Sequence, residues 1–199
     1  MANVFGTEKM KWSTCKSLIK QDTTRNGRYI TMLLKPKHAL LVYYRLCAFS
    51  NNRNFRLMHL LTKILFKIYQ YITGIHMDEN CRIGGGLRFE HHSNIAVSVG
   101  AVVGKNVTIF QGVTIGKNFG GKHYGYPKIG DNVILFAGCK VLGNVNVGNN
   151  AIVGANAVIT HDVPDNCVVA GNPARILSSD FRTAILQTEY EKHFKLQGY

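Results

Sequence analysis

Aliphatic residues return at every sixth position along the second half of the chain, and this ladder is interrupted only once. Glycine often follows a rung, as at Gly104, Gly130 and Gly148. A period of six fits neither the 3.6-residue repeat of a helix nor simple strand alternation. It predicts a mainly β chain that winds round a prism, with one short strand and one tight turn per face, as in hexapeptide-repeat solenoids. The rungs are Val97, Val103, Ile109, Ile115, Ile129, Leu135, Val141, Val147, Val153 and Ile159.

The pattern before the ladder is helical. Residues 37–49 and 55–72 are rich in apolar side chains, so we expect a mainly helical segment over 1–75. The solenoid should occupy 76–177, followed by a short helix or tail over 178–199. In the second helical stretch the polar residues recur three or four positions apart and form one narrow stripe. Its members are Arg56, His59, Lys63, Lys67 and Gln70.

Positive charge is concentrated in the N-terminal segment. Residues 1–76 hold 13 Lys/Arg against 2 Asp/Glu, a net +11, and residues 77–199 hold 11 against 9, a net +2, which together give the chain's +13. Lysines interrupt the apolar run of 55–72, so we do not expect it to span a membrane. Two interpretations stay open: a helix packed against its neighbours in an oligomer, or a helix lying on an anionic membrane surface. We predict no nucleic-acid partner.

The cysteines and the N-terminus predict a cytoplasmic chain, with peripheral contact at the inner membrane face under the second interpretation. The five cysteines show no CxxC spacing, so we expect neither a disulfide framework nor a metal site. The first residues lack the apolar core and cleavage site of a signal peptide.

The ladder has two faults. Ile115 and Ile129 are 14 residues apart, one hexad plus eight, which predicts a protruding loop at 119–126. Ile83 precedes Val103 by 20 residues, three hexads plus two, so a slip of two residues falls upstream of Val103. Loops on a rigid scaffold frequently carry function, so both faults are candidate sites.

Two adjacent histidines lie at the slip. His91 or His92 could take a proton from a hydroxyl near neutral pH, because the ordinary pKa of histidine lies close by. Glu90 is a neighbouring acid. The alternative is a pair of surface histidines on a turn, and metal binding is disfavoured because adjacent histidines rarely reach one ion.

A second motif, Gly-Asn-Pro-Ala-Arg, occupies residues 171–175. Asn172 before proline favours a tight, extended turn that can leave backbone amides free for a ligand. Arg175 could then meet a phosphate. The alternative is a simple cap on the end of the solenoid.

In order along the chain, His91, the hexads, the glycine-rich loop, residues 138–144 and the 170–175 turn resemble serine acetyltransferases, which belong to the hexapeptide-repeat acyltransferases. The resemblance covers residues 75–177. It implies a left-handed parallel β-helix, acetyl-CoA as the acyl donor with no metal, and a homotrimer that could stack into a hexamer. The active sites would lie between subunits.

The resemblance also implies roles for single residues. His91 is similar to the catalytic base, with Glu90 and Asp78 as the acids that could assist it. Contacts to CoA would come from backbone amides near Gly116, Ala137 and Ala155, and from Asn172 and Arg175 at the nucleotide end. The candidates for contact with the acceptor are His92, His123 and Tyr126.

The departures from the family concern the acceptor. An aspartate that usually orients the catalytic histidine is His76 here, which would pass that role to Asp78 or Glu79, or leave it unfilled. An Arg-His pair that grips the amino-acid substrate is Gly125-Tyr126 here. The carboxylate of free serine needs a cationic clamp, so we interpret the chain as an acetyl-CoA-dependent O-acetyltransferase acting on a sugar or sugar-lipid hydroxyl, as in polysaccharide biosynthesis. The alternatives are a genuine serine O-acetyltransferase of cysteine biosynthesis and a non-catalytic trimeric scaffold that binds membrane or polyanion.

Overall fold

The computed structural model describes residues 10–26, 35–51, 53–120 and 122–180. Within these ranges the helices are α1 (Trp12–Asn26), α2 (Pro36–Ser50) and α3 (Arg56–Thr73), and a 3₁₀ turn leads into α3. Proline opens α2, where its fixed φ suits the first helical turn, and Gly74 ends α3 with a left-handed φ of 65°. The two predicted helices are therefore α2 and α3. Most of the C-terminal helix expected over 178–199 lies outside the described residues.

The remainder of the described chain forms three sheets of very short strands. Sheet 1 contains β1 (Ile75–Met77), β4 (Ile95–Val97), β7 (Thr114–Gly116), β10 (Lys140–Leu142) and β13 (Val158–Ile159). Sheet 2 contains β2 (Arg82–Ile83), β5 (Val102–Val103), β8 (Lys128–Ile129) and β11 (Asn146–Val147). Sheet 3 contains β3 (Arg88–Phe89), β6 (Thr108–Ile109), β9 (Ile134–Leu135), β12 (Ile152–Val153), β14 (Val168–Gly171) and β15 (Ala174–Ser178).

From β1 to β13 successive strands join the three sheets in turn, and every strand pairing is parallel except the β14–β15 hairpin. The chain is thus a left-handed parallel β-helix of about five coils, which confirms the predicted fold class. All ten rungs of the ladder are buried in its interior. Cys139 also points inward, and its burial raises the pKa of its thiol to about 12.

The prism has three edges, which we number by the sheets they join. The first edge runs between sheets 1 and 2, the second between sheets 2 and 3, and the third between sheet 3 and the next strand of sheet 1.

The strand registers locate both faults of the ladder. Phe89 and Val97 are eight positions apart rather than six, so the two extra residues lie in the 90–94 turn of the third edge. Val102 pairs with Lys128, an offset of 26 rather than 18, so the eight extra residues lie between β7 and β8 on the first edge.

Asparagines form the turns of the second edge. Asn106, Asn132, Asn150 and Asn166 all have a left-handed φ between 55° and 61°, which asparagine tolerates better than most residues. The first three donate from Nδ2 to Oδ1 of the next asparagine along the edge, at 3.2, 3.1 and 2.9 Å. The hydrogen-bonded column ties successive coils together.

The helical segment is fixed to the first coil by a buried polar network. Asp22 and Arg45 form an ion pair at 2.9 Å, and each side chain is only 1% exposed. Asp22 also accepts from the backbone N–H groups of Gly86 and Leu87 at 2.8 and 3.0 Å, while Arg45 donates to the carbonyl of Ile83 at 2.6 Å. Because every charge in this network has a partner, the burial is tolerated.

Candidate active site

The turn between β3 and β4 presents the histidine pair on the third edge. It spans residues 90–94, and Asn94 ends it with a left-handed φ of 56°. His91 and His92 are both exposed. The imidazole of His91 lies beside the ring of Phe110, with 6.2 Å between centroids. One face of His91 is therefore next to an apolar side chain, and the rest is open to a ligand.

The third edge also carries most of the predicted contacts to CoA. Sheet 3 pairs Phe89 with Ile109, Ile109 with Leu135, Leu135 with Val153, and Val153 with Val169. The residues two positions further along form one column up the edge, namely His91, Gln111, Ala137, Ala155 and Gly171. Adjacent coils are about 4.8 Å apart, so the column extends about 19 Å. An elongated ligand with its reactive end at His91 would follow this column to the Asn172–Arg175 turn.

An apolar strip flanks the column. Phe110, Ile134 and Ile152 form a small buried cluster outside the main core, with Phe136 and Ala137 packed against it. The rings of Phe110 and Phe136 stack with centroids 4.9 Å apart. The edge therefore offers an apolar wall along which the hydrocarbon part of a ligand can lie.

At the top of the column is the β14–β15 hairpin. Its turn contains a cis peptide bond between Asn172 and Pro173, and Ala170 pairs with Arg175. The Arg175 guanidinium is exposed, with a 3.1 Å contact to the carbonyl of Ala174. A cation thus stands at the end of the column opposite His91, where it could receive a phosphate.

The predicted acids are not gathered round His91 within one protomer. Nε and Nη2 of Arg88 donate to the Glu90 carboxylate, at 2.6 and 2.9 Å. Asp78 accepts from the backbone and side chain of Asn80 at 2.8 and 2.9 Å, and it follows β1 on the first edge. The three-residue strands of sheet 1 separate that edge from the third by about 10 Å. Gly116, a predicted CoA contact, also ends a strand at the first edge.

The loop of the first edge begins as a small antiparallel bridge. Asn118 and Gly125 exchange hydrogen bonds at 3.0 and 3.2 Å. The carbonyl of His123 accepts from Asn144 at 2.9 Å, and its ring meets that of His161 edge-on with 5.7 Å between centroids. His123, a predicted contact of the acceptor substrate, is therefore held in place by the coil above it.

Aromatic rings of this loop surround a lysine that sequence reasoning did not select. The ammonium of Lys117 lies 5.1, 4.7 and 5.3 Å from the ring centroids of Phe119, Tyr124 and Tyr126. A hydrogen bond with Tyr124 raises the pKa of Lys117. Cation–π contacts of this kind fix the position of a charge. His123 is the basic residue of this loop that the family resemblance selects, but Lys117 is the cation that the aromatic side chains enclose.

Gln111 is a second residue of the site that lies in none of the sequence motifs. Its Oε1 is buried and has no hydrogen-bond partner among the described residues, and it lies one coil above His91 in the third-edge column. A buried amide oxygen without a partner is unfavourable unless a ligand supplies one. The signal in the sequence was positional: Gln111 follows the rung Ile109 at the same offset as Ala137 follows Leu135.

Among the described residues, no group of three or more His, Cys, Asp or Glu side chains is placed to hold a metal ion. The third edge supplies an imidazole, backbone amides, the Gln111 side-chain amide, an apolar wall and the Arg175 guanidinium.

Comparison with known proteins agrees with this geometry. A model of the bacterial transferase hexapeptide family (six repeats) matches residues 126–161. A serine acetyltransferase of Helicobacter pylori is 31% identical over 163 residues, which cover 82% of this chain and 94% of that protein.

Two solved structures illustrate the likeness in three dimensions. A serine acetyltransferase in complex with CoA is similar with a TM-score of 0.69 and 28% identity, over 83% of this chain and 71% of the other. The Neisseria gonorrhoeae serine acetyltransferase in complex with serine gives a TM-score of 0.67 and 27% identity, over 84% and 70% of the two chains. The likeness is longer than residues 75–177, so it extends beyond the β-helix.

Proposed function

This chain belongs to the serine acetyltransferase family and is an acetyl-CoA-dependent O-acetyltransferase, and from that premise we propose that its acceptor is the hydroxyl of free L-serine. The relatives favour this acceptor over the sugar that the altered loop residues had indicated. They are named serine acetyltransferases, and one solved relative is in complex with serine. Lys117 supplies the cation that the carboxylate of serine needs.

In the proposed reaction, the imidazole of His91 removes the proton from the acceptor hydroxyl. The oxygen forms a bond to the thioester carbonyl carbon, the carbon–sulfur bond then breaks, and CoA leaves as a thiolate. The proton passes from the imidazolium to that thiolate, which restores neutral His91. General-base assistance of this kind typically contributes about 10²–10⁴-fold to the rate.

The observation that carries the donor part of the proposal is the column of the third edge. It aligns His91 with Ala137 and Ala155, and it ends at the turn that carries Asn172 and Arg175. We propose that CoA lies along this column, with its thioester at His91, its hydrocarbon arm on the Phe110–Phe136 wall and its phosphates near Arg175.

We propose that the site is completed between subunits of a homotrimer. His91 and the 119–126 loop lie on different edges, with sheet 1 between them. One protomer therefore cannot bring both against the same small acceptor, whereas the first edge of a neighbour can face the third edge of its partner. Gly116, Asp78, His123 and Tyr126 would reach the site from that neighbour. Stacking of trimers into hexamers rests on the family resemblance alone.

A sugar or sugar-lipid hydroxyl is the second candidate acceptor. It is favoured by the exposed rings of Phe119 and Tyr124 beside Lys117, because aromatic rings give a sugar an apolar surface to lie on. It is also favoured by the replacement of the Arg-His pair with Gly125-Tyr126. Peripheral contact of residues 1–75 with a membrane would suit a sugar-lipid acceptor. The membrane contact itself does not depend on which acceptor is used.

The test is acetyl-CoA turnover, measured as release of the free thiol of CoA, with L-serine compared against a panel of sugars and nucleotide sugars. We expect saturable turnover with L-serine. Turnover with a sugar and none with L-serine would replace serine by the second candidate. Calorimetric titration with CoA is the control. Binding of CoA without turnover of L-serine or of any sugar would contradict both acceptors.

A further inference from the structure

The outer face of α3 is apolar and uncovered in the protomer. Its most exposed members are Tyr71, at 89%, and Leu57, at 71%. These side chains recur three or four residues apart and therefore share one face of the helix. The exposed set consists of Leu57, Leu60, Leu61, Ile64, Leu65, Ile68, Tyr71 and Ile72.

The inner face of α3 is largely polar, which is the reverse of an ordinary surface helix. Its buried residues are Thr62, Phe66, Gln70 and Thr73. Gln70 donates to the carbonyl of Met77 at 2.8 Å, and Thr62 lies 3.1 Å from the hydroxyl of Ser50. Gln70, which the sequence pattern places in the polar stripe of this helix, is therefore buried and not exposed to solvent. These hydrogen bonds fix the inner face, so the helix cannot rotate to bury its aliphatic side chains without losing them.

Cations border one side of the apolar face. Arg56, Lys63 and Lys67 follow one another along that side at helical spacing, and Lys63 forms an ion pair with Glu79 at 2.6 Å. Within the described residues of 10–77, Asp22 is the sole acidic residue, and it is buried against Arg45. The exposed surface of this segment thus carries positive charge without an acidic side chain of its own.

We infer that the outer face of α3 docks on an anionic membrane surface, with the helix axis in the plane of the membrane. Its aliphatic side chains would enter the boundary between headgroups and acyl chains, and Arg56 and Lys67 would meet lipid phosphates. Charge selects this occupant over a second copy of the chain. A copy would bring the same cations and, from its described helical segment, no exposed acid to pair with them. None of the helices in the described residues is long and apolar enough to cross a membrane.

The experiment is co-sedimentation of the full chain with vesicles of phosphatidylglycerol and phosphatidylcholine, compared with phosphatidylcholine alone. We expect binding to the anionic vesicles that weakens with added salt. The double variant Ile64→Gln with Ile68→Gln should lower the partition coefficient by about tenfold or more. It removes two aliphatic side chains that would enter the membrane and leaves the charge unchanged. Lys67→Gln should lower it by about fivefold on anionic vesicles alone.

The matched control is Ile176→Gln with Leu177→Gln, which removes two exposed aliphatic side chains from β15 and should leave partitioning unchanged. Sedimentation velocity of every variant provides the second measurement. If the α3 double variant keeps wild-type vesicle binding, or if it loses mass as an oligomer, the face is not a membrane surface. Equal binding to neutral and anionic vesicles would also overturn the inference. The readout is vesicle binding and not turnover, so failure of the membrane inference would not contradict the proposed acceptor.

Discussion

His91 and Gln111 lie one coil apart in the third-edge column, at the end where the thioester of CoA is proposed to lie. His91 is exposed, and the carboxylate of its neighbour Glu90 is held by Arg88. We expect His91→Ala to lower kcat by about 10²–10⁴-fold while the Kd of CoA stays at its wild-type value, since the general base is lost and the column remains.

Steady-state kinetics and calorimetry separate these two effects. His92→Ala is the matched control, because it removes from the same turn an imidazole that is also exposed. If His92→Ala proves the more damaging change, the base is His92. Wild-type turnover of both variants would contradict a histidine base.

Gln111 has opposite expected effects on stability and on binding. Its unpartnered buried Oε1 costs free energy in the empty protein, so Gln111→Leu should leave the free energy of unfolding unchanged or raise it. If CoA supplies the missing donor, the same variant should weaken CoA binding by about two- to tenfold. Urea unfolding and calorimetry test the two parts. A loss of stability with unchanged Kd would mean that Gln111 is structural.

At the scale of elements, α2 carries a buried histidine whose titration opposes folding. His38 is 2% exposed and its Nδ1 has no partner among the described residues. Burial, with added repulsion from Lys37, lowers its pKa from 6.5 to about 4. Between these values the unfolded chain binds the proton and the folded chain does not, so stability falls as the pH drops from 6.5 towards 4, by up to about 1.4 kcal/mol per pH unit.

The measurement is the free energy of urea unfolding across that pH range for the wild type and for His38→Gln. The variant lacks the titrating group, so its curve should be flatter by the stated slope, while all other groups titrate alike in both proteins. Parallel curves would show that His38 does not control acid stability.

The elements also show what hydrophobic periodicity can and cannot predict. The inward positions of the β-helix are filled mainly by small and aliphatic side chains, so the six-residue spacing specified most of the strands and both faults. In α1 the pattern was weak because this helix is held by the Asp22–Arg45 ion pair. In α3 the pattern could not predict which face is buried, because the deciding hydrogen bond joins Gln70 to the backbone of Met77.

At the scale of the whole molecule, the candidate site was only partly predictable for a related reason. Counting residues from the nearest rung assigns each residue to an edge, and this count aligns His91 with Ala137 and Ala155. The family motifs, however, combine residues of two edges into one site. Asp78, Gly116 and the loop belong to the first edge, so the proposed site needs contacts between chains, which one sequence does not encode as a local pattern.

Complementation between two inactive chains tests this division. We expect His91→Ala and Lys117→Gln, each strongly impaired alone, to recover activity when coexpressed, because some sites then combine an intact third edge with an intact first edge from the neighbour. Random mixing in a cyclic trimer makes about a quarter of the sites intact. The activity of purified mixed oligomers, scaled to the wild type, is the measurement. Coexpression of His91→Ala with Gln111→Leu is the matched control: both changes damage the third edge, so no site regains the wild-type KM. No recovery in the test pair would mean that each protomer builds its site alone, and recovery in the control would mean that His91 and Gln111 act from different chains.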